Sequence, residues 1–473
     1  MYQLINNIIH EFRECFKRIE AFQRFVIITI GFMVRSGKKG VTEVISSMRL
    51  KGEIYHKMLH YFRSSAYKVE DLYTKWINIV QKRTDLVRIG GFVLLLGDHL
   101  KMPKEGRRMP GVATLHQESG NAGKPEYTEG HIFAHVSAVA TNGEAHRSMP
   151  LMTERQESPP RIEGTKKPDG DTLVTQMINL AAQTAKCFDG ERCVIALDAY
   201  FAKASAFEAA TKAISSTGER LLEIVTRAPT DTVAFKVPVL SPEKKRGRGQ
   251  PRKYGDKIVL YSLFNDMSKF TETTMILYGK KTSIKYLCLD LIWKPVKSII
   301  RFVLVELNNS DRCVLMSSCL TLNPENIISI YGLRFKIESS FDEQKNDMGC
   351  FSYHFWTSAL TKRKRWQKTE CPSDDKLHQR VDDAKRAIES FVCIGTIATG
   401  ILTIVAFSYN REIWKHYPGW LRTVRVNIPS IAVVKETLFH DFPMLLKAKK
   451  DLFICSIIIS NMKSFDFFGH DAI

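Results

Sequence analysis

A chain of 473 residues is long enough for two or three domains and a large core. With 44% hydrophobic and 25% charged residues it has a globular composition, which excludes a disordered or fibrous chain. Lys and Arg number 69 against 50 Asp and Glu, a formal net charge of +19, which suits a polyanionic partner: nucleic acid or an acidic membrane surface.

The first twenty residues, MYQLINNIIHEFRECFKRIE, carry charges through their apolar part and do not read as a secretory signal. Residues 1–85 read as helical and basic. Apolar residues recur at helical spacing through FQRFVIITIGFMV, and the following stretch suggests short helices joined by tight turns. Two readings stand side by side: a helix-turn-helix-like DNA-binding unit and a plain helical packing domain. The ten cysteines include no C-x-x-C pair, so no zinc ribbon or disulfide framework is indicated and a reducing cytoplasm is expected.

In GFVLLLGDHLKMPKEGRRMPG, residues Gly91 to Gly97 are a short apolar run bounded by glycine, the mark of a buried strand. The strand is predicted to end at Asp98. An acid there faces the sheet edge where open α/β sheets place ligands; a turn or capping role is the plainer alternative. Lys101, Lys104, Arg107 and Arg108 are expected to form a basic loop beside it. GHIFAHVSAVATN and AHRSMPLMTERQES read as two further strands, and TLVTQMINLAAQTAKCF as a helix after a polar linker. Cys193 to Leu197 repeats the first design: a buried strand ending at Asp198, followed by a helix and then the strand LLEIVTRA. Three strands, a helix, a strand ending in Asp, a helix and a strand is the order of a ribonuclease H-like fold.

Beyond this, SPEKKRGRGQPRKYGDK is polar and basic, and KIVLYSLF, TTMILYG, SIKYLCLDLIW and IIRFVLVEL read as antiparallel strands. The run 244–253, with Arg246, Arg248 and Arg252, is either a phosphate-gripping loop or solvated surface. In PENIISIYGLRFKIESSFDEQK, Asn323 can cap and Pro324 suits the first helical position, so one helix is predicted over 324–345. On such a helix Tyr331, Arg334, Glu338 and Lys345 fall within roughly a 60° arc. Ile330, Leu333, Ile337, Phe341 and Met348 form an apolar stripe beside them. Taken alone, the pattern reads more simply as an amphipathic surface helix with i,i+4 pairing. TKRKRWQK (361–368) pairs cations with Trp366, a combination suited to backbone contact and stacking. The chain is helical from 376 onward. Its uncharged run SFVCIGTIATGILTIVAFSYN is long enough to cross a bilayer, but its hydroxyls and Gly395 and Gly400 favour a helix buried in a large domain.

The spacing Tyr331-x2-Arg334-x3-Glu338-x6-Lys345 resembles the signature of one branch of the DDE-type insertion-sequence transposases. The resemblance runs from about residue 90 to 370: 100 residues separate Asp98 from Asp198, and 140 separate Asp198 from Glu338. It implies an α/β fold, a ribonuclease H-like catalytic domain over 86–372 with a β-rich insertion at about 228–320. Helical regions flank it: a DNA-binding one over 1–85 and a C-terminal one over 373–473. It also implies that Asp98, Asp198 and Glu338 hold two Mg2+ ions (or Mn2+), with Asp98 bridging them, and that Tyr331, Arg334 and Lys345 hold the DNA backbone. Lys101, Lys104, Arg107, Arg246, Arg248, Arg252 and Trp366 are the further expected DNA contacts. The implied activity is cleavage at mobile-element ends and strand transfer into target DNA. The implied partners are terminal inverted repeats and target DNA, with a homodimer assembled on the ends, no membrane, and a nucleoid-associated place in a bacterial or archaeal cytoplasm. One departure stands out: VLMSSCLTLNPENI has Cys319 where close relatives are expected to carry an acid, with Asp311 the other acid near that strand. Cys319 is structural if Asp98 and Asp198 supply both aspartates. If the triad lies elsewhere, the chain is a catalytically degenerate DNA-binding relative. A basic membrane-associated protein is the remaining reading.

Overall fold

The computed structural model describes residues 1–37, 40–117, 123, 125–160, 168–238, 252–308, 311–367, 372–422 and 428–463. In chain order its elements begin with α1 (Tyr2–Glu11), α2 (Ile19–Val34), α3 (Val41–Ser47), α4 (Glu53–Arg63) and α5 (Val69–Arg83). There follow β1 (Arg88–Ile89), β2 (Phe92–Pro103), β3 (Ala113–His116), β4 (Tyr127–Thr141), β5 (His146–Gln156), α6 (Leu173–Lys186), β6 (Cys193–Ala196), α7 (Ala204–Ala210) and β7 (Leu222–Arg227). Next come β8 (Val233–Phe235), β9 (Lys257–Val259), β10 (Thr271–Leu277), β11 (Lys280–Trp293), β12 (Ser298–Leu307) and β13 (Asp311–Ser317). The chain closes with α8 (Pro324–Leu333), α9 (Lys336–Asp342), α10 (Asp375–Ser408), α11 (Asn410–His416), α12 (Ile431–Ala448) and α13 (Phe453–Asn461).

These elements divide between two compact units: a sheet unit of 86–98 and 158–337, and a helical unit of 1–85, 99–157 and 338–473. The division does not follow three consecutive regions. Residues 1–85 share a unit with 338–473, and the stretch 86–372 is divided between both units.

The sheet unit is built on β2, β6 and β7, which run parallel: Val93 faces Cys193 and Leu96 faces Ala196, while Cys193 faces Leu222. Val93 to Leu96 and Val194 to Ala196 are fully buried, and a strand covered on both faces needs such an unbroken apolar run. The expected insertion extends this sheet. β13 pairs antiparallel with β7, and β12, β11, β8 and β9 follow in order, with β10 on β11. The β10–β11 hairpin turns at Tyr278 and Gly279, both at positive φ (54° and 76°), as a tight two-residue turn requires. KIVLYSLF is strand only over Lys257–Val259. From Leu260 it coils into a 3-10 helix that buries Leu260 and Phe264. α8 starts as its sequence dictates: the Asn323 side chain accepts from the Asn326 amide at 2.8 Å, and Pro324 takes the first position.

The helical unit is centred on α10. It is the one described helix long and apolar enough to cross a membrane, and its apolar window is 94% buried within the fold. Its glycines are close-approach sites. A Cβ at Gly400 would lie 2.1 Å from the ring of Trp76 on α5, and one at Gly395 2.8 Å from Cys350 Sγ. α2 buries Phe22, Phe25 and Phe32 and packs on α10, and α3 and α4 pack on α2 and on each other. β4 and β5 form the expected antiparallel pair, with a register shift at Val136/Ser137.

A polar cluster lies in this core. His135 Nδ1 pairs with Thr153 Oγ1 at 2.8 Å, and Ser340 and Gln344 approach the same ring. Burial pushes the His135 imidazole down to about 3, so the folded ring stays neutral where an unfolded one takes a proton near 6.5. Stability from this group is therefore complete above about pH 6.5 and is lost as pH falls toward 3. The thermal midpoint is expected to fall more steeply between pH 6.5 and 4 in the parent than in His135→Asn. Equal slopes in a pH series of melting curves would count against this account.

Candidate active site

The constant offset of 100 between β2 and β6, carried two residues beyond the last pair, Leu96 and Ala196, sets Asp98 level with Asp198 on adjacent parallel chain segments. Neighbouring strands lie about 4.8 Å apart and equivalent positions point to the same face, so the two carboxyl groups share one patch of the sheet. β6 and β7 keep an offset of 29, which brings Arg227, the last residue of β7, beside Asp198.

Asp198 follows its strand in extended conformation and caps the 3-10 turn Ala199–Phe201, its Oδ1 accepting from the Tyr200 amide at 3.0 Å. Its carbonyl accepts from Thr226 Oγ1 at 2.6 Å. Asp98 does not end its strand as expected: β2 continues to Pro103. The backbone stays extended past the acid, and just beyond the strand the Lys104 amide donates to the Glu129 carbonyl on β4 at 2.8 Å.

α8 packs over β6, β7, β12 and β13 and delivers two of the signature residues. Arg334 Nη1 lies 3.9 Å from Asp98 Oδ2, both side chains being about four-fifths buried. Tyr331 is half-buried. Burial raises its phenol, Arg334 and Arg227 oppose that shift, and Cys313 and Asp198 add to it. The sheet unit thus gathers Asp98, Asp198, Arg227, Tyr331 and Arg334.

The single helix expected over 324–345 is not formed. α8 stops at Leu333, the Arg334 amide bonds back to the Tyr331 carbonyl at 3.1 Å, and α9 starts at Lys336. Glu343–Asp347 is a π-helical turn, with the Met348 amide on the Glu343 carbonyl at 2.8 Å. Tightening at one point and widening at another change the angular advance, so the 60° arc does not carry from Tyr331 to Lys345. The π-turn turns Glu343 inward, where it pairs with Arg147 at 2.8 Å and burial raises its carboxyl. Lys345 is exposed on the same turn, and Glu338 is exposed on α9 in the helical unit.

Among the described residues no three His, Cys, Asp or Glu side chains come together as a metal site. Asp98 and Asp198 alone are hard oxygen donors of the kind Mg2+ takes, one or two carboxylates with water and substrate phosphate completing the shell. The pair fits a divalent cation by donor chemistry.

Other expected DNA contacts divide. Lys104 is structural: its ammonium donates to the Phe351 and Tyr353 carbonyls, sits 3.9 Å from the Tyr353 ring centre, and is pushed down to about 8 by burial. Lys101 donates to the His116 carbonyl at 2.8 Å. Arg107 and Arg252 are exposed; Arg246 and Arg248 lie outside the described residues. Trp366 is 47% exposed, with the Arg365 guanidinium 5.1 Å from its ring centre. Cys319 is buried, its thiol 3.1 Å from Thr321 Oγ1, in a turn after β13. Asp311 opens β13 and lines a cavity of about 250 Å³ that also touches Arg227, Arg312 and Tyr331. Arg227 escaped the sequence reading, although LLEIVTR repeats the pattern of an apolar strand closed by a charge.

The chain belongs to the DDE superfamily endonucleases: that family's model matches residues 11–275, more than half of the sequence. The matched span contains Asp98, Asp198 and Arg227 and ends before Glu338. No curated protein matches the sequence. The crystal structure of the NurA nuclease from Sulfolobus solfataricus covers 62% of this chain and 92% of its own, at 11% identity and a TM-score of 0.23, too remote to bear on fold or function.

Proposed function

We propose that this chain is a transposase that cuts DNA at the ends of a mobile element and joins those ends to target DNA. Membership of an endonuclease family supports nuclease chemistry. The observation that carries the reading is the β2–β6 register, which sets Asp98 level with Asp198 just beyond β6, with Arg334 3.9 Å from Asp98 and Tyr331 close enough to feel the charge of Asp198. The parallel run β2–β6–β7 supports a ribonuclease H-like core, and the net charge of +19 supports DNA as the partner.

Asp98 and Asp198 would hold Mg2+, which supplies a stronger nucleophile at neutral pH and a counter-charge for the leaving oxygen. Arg227 and Arg334 would neutralise the flanking phosphates, and Tyr331 would hydrogen-bond one of them. Glu338 is proposed as the third acid, completed when DNA is bound. In this reading the protein works in a bacterial or archaeal cytoplasm, as a homodimer on paired ends.

The test is Mg2+-dependent nicking of a duplex carrying the inverted repeat that flanks the gene. The parent is expected to nick at the repeat. Glu338→Gln should abolish nicking with end binding within a few-fold, whereas Glu343→Gln should chiefly lower the melting temperature by loosening the Arg147 pair. A Glu338→Gln protein that nicks at the parental rate removes Glu338 from the site.

A second reading has one observation on its side. No third metal-binding acid is gathered among the described residues, as in a relative that binds ends without cutting them. A parent that binds ends and never nicks would establish it, and Cys319→Asp would then be the first restoring substitution to try.

A further inference from the structure

Next to Asp198 the chain builds a second feature that the cleavage chemistry does not use. The Asp198 carboxylate fixes the Tyr200 amide, so the Tyr200 ring stands two residues from the candidate metal ligand. The ring is 40% exposed. It is also held in place: it meets the ring of the fully buried Phe201 edge-on, with centroids 5.3 Å apart at 90°. The Lys203 ammonium lies 3.9 Å from its centre. Beside the two side chains opens a cavity of about 360 Å³, lined also by Ser158, Pro159, Pro168 and Ser205.

The lining has a definite chemistry. It combines one ammonium, one phenol, hydroxyls and apolar proline rings, with no carboxylate among the described residues that line it. A cavity of this size is in the range of small-molecule sites. An aromatic ring with a cation close by is the arrangement that takes a base on its face and a phosphate on its charge. A duplex interior offers no free base face, so the occupant is an unpaired nucleotide.

We propose that Tyr200 and Lys203 form a subsite for the unpaired nucleotide adjoining the reacting phosphate, Tyr200 stacking on its base and Lys203 pairing with its phosphate. This rests on the proposed cleavage site at Asp198. The subsite would make the protein favour ends that are frayed or already nicked over fully paired ones.

The test measures equilibrium binding by fluorescence anisotropy, with EDTA present so that no cleavage intervenes. Two probes are used: a blunt duplex, and the same duplex with a three-nucleotide single-stranded overhang. The parent is expected to bind the overhang probe more tightly, by about tenfold or more for one stacked base. Tyr200→Ala should erase that preference and leave blunt binding unchanged, while Tyr200→Phe, which keeps the ring, should retain it. Lys203→Ala, an exposed and structurally mild change, should lower the salt slope of overhang binding by about 0.7, the share of one phosphate on a single strand. A parent without preference for the overhang, or Tyr200→Ala and Lys203→Ala variants that bind both probes as the parent does at every salt concentration, would overturn the subsite. Cleavage is scored separately on the same proteins. A parent that nicks DNA while the variants keep the overhang preference refutes the subsite alone. A parent that never nicks while Tyr200→Ala loses the preference refutes the cleavage reading alone.

Discussion

Replacing Asp198 by Asn is expected to reduce Mg2+-dependent strand cleavage at least about a thousandfold while leaving the fold and end binding intact. Asn keeps the side-chain oxygen that accepts from the Tyr200 amide, so the 3-10 turn after β6 is preserved. What disappears is one of the two negative charges brought together by the β2–β6 register. A divalent cation facing one carboxylate instead of two is bound more weakly. Losing on the order of 4 kcal/mol of transition-state stabilisation corresponds to about a thousandfold in rate, at tenfold per 1.36 kcal/mol. Under the proposed function Arg227 and Arg334 would still hold phosphates, so gel-shift affinity should stay within a few-fold. Asp198→Ala removes the cap as well and should add a small loss of thermal stability. An Asn variant that cleaves at the parental rate would remove Asp198 from the chemistry.

Glu129→Ala is expected to cost the helical unit about 3–5 kcal/mol, the usual effect of stripping one partner from a buried ion pair. Glu129 Oε1 lies 2.7 Å from Arg363 Nη1, and the side chains are only 8% and 5% exposed. The same oxygen accepts the Trp366 amide at 2.8 Å, so one carboxylate fastens the whole segment that carries Trp366. The melting transition should fall by several degrees, and trypsin should cut at Lys362, Lys364 and Arg365 faster than in the parent. Replacing both partners by leucine should recover much of the loss, because no charge is then left buried and unpaired. A melting temperature equal to the parent's would show that solvent reaches Arg363.

The sequence disclosed the strands whose burial is two-sided. VLLL and CVIAL are short unbroken apolar runs bounded by turn signals, as a strand covered on both faces needs. It disclosed α10 as a packed helix through Gly395 and Gly400, residues that make room for Cys350 and Trp76. It did not disclose that β2 continues past Asp98, because HLKMP carries polar residues whose backbone pairing is set by a distant strand. Nor did it disclose the interruptions after Leu333 and at Glu343. No proline marks them, and the π-turn serves long-range partners, Arg147 for Glu343 and His135 for Gln344. Lys104 read as surface charge because no local pattern announces that its ammonium meets carbonyls some 250 residues away. Arg227 could have been found by analogy with Asp198, since each follows the apolar run of a strand in the parallel set.

The joining of parallel and antiparallel strands in one sheet has a consequence for how the chain is made. β6 and β7 can pair once about 230 residues have been synthesised, and β2 is already waiting for β6. The far side of β7 has no described partner strand until β13 has emerged, some ninety residues later. During that interval an apolar strand offers unpaired amides and carbonyls to any neighbour, the condition that favours edge-to-edge association. The hairpins β10–β11 and β11–β12 close locally and quickly, so they are ready to cap β7 as soon as β13 is released. Nascent chains stalled between residues 230 and 310 should therefore bind holdase chaperones and aggregate more readily than chains stalled after residue 320.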